Sequence, residues 1–369
     1  MDRRTFITSG AASLMGLFLI PEFLRAAGKH GHPDSYSVVI LGDTHFDSTD
    51  PEKYHVGYTD PKPEREANHR KEFVRNGKAW SGYCRDLVNR AACLVDKDTR
   101  FVFQMGDLIQ GDTANADIHK LFLDDAMVYF KSAMAPDIPF VTVVGNHDIR
   151  GNDDSVAFKA YEEYMTARMS EELGRQVDGT SFVFHSGPDA FVVLNYFTAS
   201  YPVVEKLLGQ AQGARHIFLL VHTPVFPFDS KKYWWWHLLG DRTDSRREER
   251  LQVRRLLAKN QVIVLCGHVH TTEFLDWYGD GGRITQMTMS SIWTKESQGS
   301  YEPLTESPGQ YGKLFAGDKS VFGECRDGIA SYSLAKSAGS YKIIVGDKVY
   351  VDFYAGNSPR LSKRFILRG

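Results

Sequence analysis

Five short segments carry the side chains that can do chemistry, each set directly behind an apolar run. Asp43 and His45 stand in Gly42-Asp43-Thr44-His45, Asp107 in Gly106-Asp107-Leu108-Ile109-Gln110, and Asn146 and His147 in Gly145-Asn146-His147-Asp148. His222 follows Val221, and Gly267-His268-Val269-His270 carries two more imidazoles. The i, i+2 spacing of Asp43/His45 and of His268/His270 puts both members of each pair on one side of the chain wherever it stays extended. Two such pairs can close on a metal ion from two directions.

The elements that must present these groups alternate. Tyr36 to Leu41, Phe101 to Met105, Phe140 to Val144, His216 to Val221 and Val262 to Cys266 read as strands, and each ends at one of the five segments. Ser181 to Phe184, Phe191 to Phe197 and Ile284 to Met289 read as further strands. Helical spacing runs through Asn68 to Val95, Asp117 to Met134, Ser155 to Met169 and Asp244 to Lys259. Strand alternating with helix predicts an α/β fold, a layered sheet core flanked by helices. The five segments would then gather at the carboxyl-terminal edge of the sheet, where open α/β folds build their sites. Near the end, Tyr341 to Val345 and Lys348 to Tyr354 flank Gly346-Asp347 as a hairpin. The expected organisation is one catalytic domain over residues 36–295, with 296–369 as a loop and β-rich extension packed on it.

Taken in order, Asp-x-His, Gly-Asp, Gly-Asn-His-Asp, a lone His and Gly-His-x-His closely resemble the calcineurin-like metallophosphoesterases, over about Val38 to His270. The resemblance implies a phosphoesterase fold and two metal ions about 3.5–4 Å apart, which clamp a phosphate and lower the pKa of a shared water. It implies Asp43, His45, Asp107 and His270 on one ion, and Asp107, Asn146, His222 and His268 on the other, with Asp107 bridging. Imidazole with carboxylate and amide donors suits Mn, Zn or Fe better than an all-oxygen Mg or Ca cage. His147 would stand beside the metals as general acid or as a donor to the phosphate. Many relatives read Gly-Asp-x-x-Asp, whose second Asp orients that His, but this chain has Gln110. A neutral His147 acting mainly as a donor is the consequence expected. The implied reaction is hydrolysis by a metal-bridging hydroxide, with a phosphomonoester favoured. The alternative is a phosphodiester in a nucleotide, phospholipid or wall polymer. A non-catalytic binding module of the same fold is a lesser alternative, which the full set of ligand positions argues against.

Substrate choice is expected from loops. The segment with Trp234, Trp235, Trp236 and His237 follows His222 and would lie near the metal cleft, its residues candidates for substrate contact with at least one Trp at the cleft mouth. Lys231, Lys232 and Arg242 flank it, while Arg150 and Asn152 are candidates for phosphate contact. The arginines of 245–259 interleave with Glu248 and Glu249 as a solvated helix face. With Lys plus Arg at 44, Asp plus Glu at 46 and a net charge of −2, nothing drives the chain toward nucleic acid. At the N-terminus, Arg3-Arg4, an apolar stretch from Ala11 to Ile20 and Ala26-Ala27-Gly28 resemble a twin-arginine export signal over residues 1–28. That stretch is about half the ~20 residues of a spanning helix, so no permanent anchor is expected, and the location is periplasmic or secreted. The four cysteines, at 84, 93, 266 and 325, are expected as free thiols.

Overall fold

Runs of β-branched and aromatic residues become strands buried on both faces. In a computed structural model, which describes residues 35–228, 237–241, 243–292, 300–314 and 320–369, the elements in chain order are β1 (Tyr36–Leu41), α1 (Glu52–His55), α2 (Pro63–Ser81), α3 (Tyr83–Ala92), β2 (Thr99–Gln104), α4 (Ala116–Met134), β3 (Phe140–Thr142) and α5 (Asp154–Glu172). There follow β4 (Phe182–Ser186), β5 (Asp189–Leu194), α6 (Tyr201–Gln210), β6 (Ile217–Val221), α7 (Arg247–Lys259), β7 (Ile263–Cys266), β8 (Thr272–Gly279) and β9 (Gly282–Thr288). The chain closes with β10 (Pro303–Thr305), α8 (Ser320–Gly323), β11 (Ile329–Ala335), β12 (Gly339–Val345), β13 (Val349–Ala355) and β14 (Lys363–Arg368). Residues 1–28, and with them the expected export signal, lie outside the described residues. No described helix is long and apolar enough to cross a membrane.

The strands form two sheets, not the one that alternation suggested. A six-stranded sheet has the order β14-β13-β12-β1-β2-β3 and an eight-stranded sheet the order β10-β11-β8-β9-β7-β6-β5-β4. The first is parallel across β1, β2 and β3, the second across β5, β6, β7 and β9. The sheets face one another through aromatic rings: Phe103 of β2 lies 5.3 Å from Phe191 of β5, and Phe101 lies 5.3 Å from Phe184 of β4. Each fully buried Phe contributes roughly 1.5–3 kcal/mol by leaving water. Helices α3 and α5 cover the outer face of the first sheet, and α6 and α7 that of the second, giving an α/β fold with a layered core flanked by helices.

Several local expectations change. The long helical stretch from Asn68 is two helices, because at Gly82 the backbone leaves helical angles (φ −108°, ψ −116°). The C-terminal hairpin joins the first sheet, β12 running antiparallel to β1 with Val38 opposite Ile343. Strands β8, β10, β11 and β14 are additional to those expected. Arg250 and Arg254 of α7 are buried rather than solvated, Arg250 between Asp244 (2.8 Å) and Glu324 (3.0 Å), and Arg254 over the Trp277 ring. The four cysteines are free thiols.

Candidate metal centre

The carboxyl ends of β1, β2 and β3 and those of β6 and β7 meet across the sandwich, so the five segments converge although they come from different sheets. The chain is not extended there. His45 (φ +43°), Asp107 (+51°), His268 (+74°) and His270 (+53°) adopt left-handed backbone, at a cost on the order of 1 kcal/mol or more each. The surroundings hold them in it. The N–H groups of Thr44 and His45 both donate to the Asp107 carbonyl at 3.0 and 2.8 Å, and Gly267 N–H donates to the His222 carbonyl at 2.9 Å. Two glycines make room for these approaches. A Cβ on Gly145 would overlap the Asp107 amide and Oδ1, and one on Gly267 would overlap Asp43 Oδ1.

Two groups of donor atoms result. In one, His270 Nε2 lies 3.0 Å from Asp43 Oδ2 and 3.2 Å from His45 Nε2. In the other, His222 Nε2 lies 3.1 Å from Asn146 Oδ1 and 3.1 Å from His268 Nδ1. Asp107 Oδ2 stands between them, 3.8 Å from His45 Nε2 and 3.4 Å from His222 Nε2. Two ligands about 2.0–2.2 Å from one ion, at tetrahedral to octahedral angles, are themselves roughly 2.9–3.5 Å apart. The separations of 3.0–3.4 Å, and imidazole nitrogens facing each other, fit metal spheres around a shared carboxylate, with the 3.8 Å from His45 Nε2 to Asp107 Oδ2 somewhat longer.

Second atoms of these side chains fix their aim. His222 Nδ1 donates to the Met105 carbonyl at 2.8 Å, which turns Nε2 inward. Asp107 Oδ1 accepts the His147 amide at 2.7 Å, and both Asp43 oxygens lie within 3.0 Å of the His268 amide. Without metal, burial pulls His45 down to about 4 and His268 to about 3. Burial also acts to lower His222, but the Asp107 and Asp43 carboxylates outweigh it and bring it up to about 9. Burial acts to raise Asp107, and His222, His147 and His45 outweigh that, holding it well below the usual carboxylate range.

His147 stands beside both groups, its ring 4.5 Å from that of His45. Its Nδ1 lies 2.9 Å from the Gln110 carbonyl oxygen. A backbone carbonyl therefore occupies the place expected for a carboxylate. Since a carbonyl only accepts, Nδ1 carries the proton, and burial followed by the Arg150 charge keeps the ring well below its ordinary pKa. A neutral ring so held presents a lone pair at Nε2, so the expected donor role does not follow from neutrality alone.

Arg150 lies at the same face, forked onto Asp112 at 3.1 and 2.7 Å. Asn152 is turned away, bonded to Thr59 N–H and the Gly57 carbonyl. His237 is fully buried, against the expectation of substrate contact; Gly240 packs close on its ring. Trp234, Trp235, Trp236, Lys231, Lys232 and Arg242 lie outside the described residues.

Two supporting residues had no role in the sequence reading. Asp148 is fully buried, accepting Ile109 N–H at 3.0 Å and Gly145 N–H at 2.8 Å, so it ties the loops after β2 and β3 together. Burial, then the Asp107 charge, pushes it up to about 7. Gln104 accepts Gly106 N–H at 3.0 Å and donates to the Gly106 carbonyl at 2.6 Å, pinning the turn that delivers Asp107. Asp148 sits inside a segment already singled out; Gln104, the one polar residue in the run Phe101 to Met105, was a signal that could have been used.

Residues 36–272 match the family model described as calcineurin-like phosphoesterase. Among solved structures the chain is similar to one described as "Structure of PhoD", with 12% sequence identity and a TM-score of 0.51 over 90% of this chain and 68% of that one. It is also similar to "GAP50 the anchor in the inner membrane complex of Plasmodium", with 13% identity and a TM-score of 0.43 over 91% of this chain and 89% of the other. No match to a curated protein was found. At such identities the first likeness speaks for the fold.

Proposed function

The chain belongs to the calcineurin-like phosphoesterase family, the metal-dependent phosphoric ester hydrolases, and from that premise we propose that it is an exported phosphomonoesterase using two metal ions. The observation that carries the reading is the pair of donor groups sharing Asp107. Asp43, His45, Asp107 and His270 would hold one ion and Asp107, Asn146, His222 and His268 the other, with Mn, Zn or Fe suited to the donors. When bound, the two ions would supply charge on the phosphate oxygens and a water activated at neutral pH.

The chain's own groups do the rest. Asp107 is held by the His147 amide so that its other oxygen faces both groups. Met105 and Gln110 carbonyls set which nitrogen of His222 and His147 is turned to the site. The partly exposed members, Asn146, His147, Arg150, His268 and His270, form the face open to a substrate, while Asp43, His45, Asp107 and His222 lie beneath it.

The test is turnover of p-nitrophenyl phosphate and bis(p-nitrophenyl) phosphate by the protein reconstituted with Mn or Zn, with Asp107→Asn as control. Preference for the monoester supports the reading, preference for the diester replaces it with a phosphodiesterase, and full activity in Asp107→Asn removes the metal assignment. Export rests on the N-terminal arginines and small residues; cell fractionation with N-terminal sequencing of the mature protein tests it.

A further inference from the structure

Arg150, a candidate for phosphate contact, is a fixed cation on the open face. Nε and Nη2 of Arg150 fork onto the two oxygens of Asp112, which is 2% exposed, and the Asp112 amide donates back to the Arg150 carbonyl at 2.9 Å. Nη2 also lies 3.3 Å from His69 Nε2, and His69 Nδ1 is 2.6 Å from the Tyr58 hydroxyl. The loop that follows β1 and the start of α2 thus buttress the guanidinium. Its remaining nitrogen, Nη1, is not on the carboxylate. It lies 3.0 Å from both ring nitrogens of His147, and the side chain keeps 23% of its surface exposed.

We propose that Arg150 determines specificity for a phosphomonoester, its Nη1 donating to the third non-bridging oxygen, with Asp112 and His69 as positioning residues. The proposal rests on the phosphoesterase reading. A monoester has three non-bridging oxygens and a diester two. Two metal ions would supply positive charge to either ester, but a monoester carries one more non-bridging oxygen and more negative charge than a diester, so a further fixed donor from the chain can tell the two apart. Of the groups on the open face, the guanidinium always carries its protons, and with its fork on Asp112 and one Nη1 hydrogen facing the His147 Nε2 lone pair, Nη1 keeps a second N–H for an incoming oxygen. Anchored by its fork and by His69, it loses little freedom on binding an oxygen. An ion pair of purely structural value would affect both ester classes alike.

The test uses the metal-loaded protein and compares wild type with Arg150→Gln, Arg150→Lys and the double variant Asp112→Asn/Arg150→Gln, which leaves no unpartnered buried carboxylate if the single change unfolds the loop. Three quantities are read: kcat/KM on the two p-nitrophenyl esters, the Kd of inorganic phosphate by calorimetry, and bound metal. Arg150→Gln is expected to lower monoester kcat/KM about 10–100-fold, the worth of a hydrogen bond to a charged group, and to weaken phosphate binding by about tenfold or more. The diester should change less than about threefold, with metal content unchanged. Lys should restore part of the phosphate affinity, and the double variant should show the same ester ratio as Arg150→Gln. Asp112→Asn alone should raise the monoester KM more than it lowers kcat. Equal losses on both esters, or phosphate binding untouched by Arg150→Gln, would overturn the proposal. If wild type hydrolyses neither ester, the monoesterase reading fails for these leaving groups, and the phosphate calorimetry still decides on Arg150.

Discussion

The two sheets bring different chemistry to the site. Every carboxylate and amide donor, Asp43, Asp107 and Asn146, stands behind a strand of the six-stranded sheet, along with His45 and His147. The eight-stranded sheet brings imidazoles alone, His222, His268 and His270. The first therefore carries the negative charge and the second the groups that answer it, as the Asp107–His222 pair shows by moving in opposite directions. Packing the sheets together assembles neither half but the interface between them, and the centre cannot exist on one sheet. Buried carboxylates tell the same story. Asp107 is held ionised by imidazoles, whereas Glu273 on β8 of the second sheet meets only hydroxyls and an amide, and burial pushes it up to about 7.

The largest effect should come from the residue that serves both halves. Asp107→Asn is expected to lower kcat/KM on the order of a thousandfold or more and to empty both positions, while His222→Ala should empty one. Metal analysis of the purified variants distinguishes them; identical stoichiometry in the two would break the asymmetry drawn here. Next is His147→Ala, expected to slow turnover by about 100-fold with both metals kept, because His147 belongs to the first half without being needed to close either donor group. Loss of metal in that variant would make it a ligand. Gly267→Ala probes the seam from the second sheet, since its Cβ would press on Asp43 Oδ1. A fall in stability of about 1–3 kcal/mol is expected, with metal affinity reduced, read by denaturant melts of the metal-free and loaded protein. A fully tolerated alanine would show that Asp43 can shift without consequence.

The smallest effect concerns Glu273. Its folded pKa is raised to about 7 from an ordinary 4.5, so between those values the unfolded chain ionises first. Its contribution to stability is therefore lost as pH rises from 4.5 to 7, by on the order of 3 kcal/mol at most. Glu273→Gln should flatten that part of the pH–stability curve and exceed wild type above pH 7. Parallel curves for the two proteins would show that the carboxyl stays ionised.

Legibility followed the range of the interaction. The five segments were readable because each is a strand end, marked by a few apolar residues and an adjacent polar group, with a glycine between them in all but the His222 segment. The break at Gly82 was harder, because helical periodicity continues on both sides of it. The pairing of β1 with β12, joining Val38 to Ile343, has no local mark at all, and neither has the burial of Arg250 and Arg254, which depends on Glu324 arriving from elsewhere in the chain. His147 shows the same limit at the site. Gln110 put a carboxylate partner for the ring in doubt, and the group that lies against Nδ1 is the carbonyl of that same residue, which every residue type carries.

Donor types, their order behind alternating strands, and hence the family follow from motif and periodicity, which are properties of neighbouring residues. The division of those donors between two facing sheets, the left-handed turns that aim them in place of extended chain, and the bracing of Arg150 beside His147 by Asp112 and His69 arise from long-range packing. Those outcomes depend on which distant surfaces bury one another and on which polar groups must then find partners, and burial on that scale is settled by the whole fold.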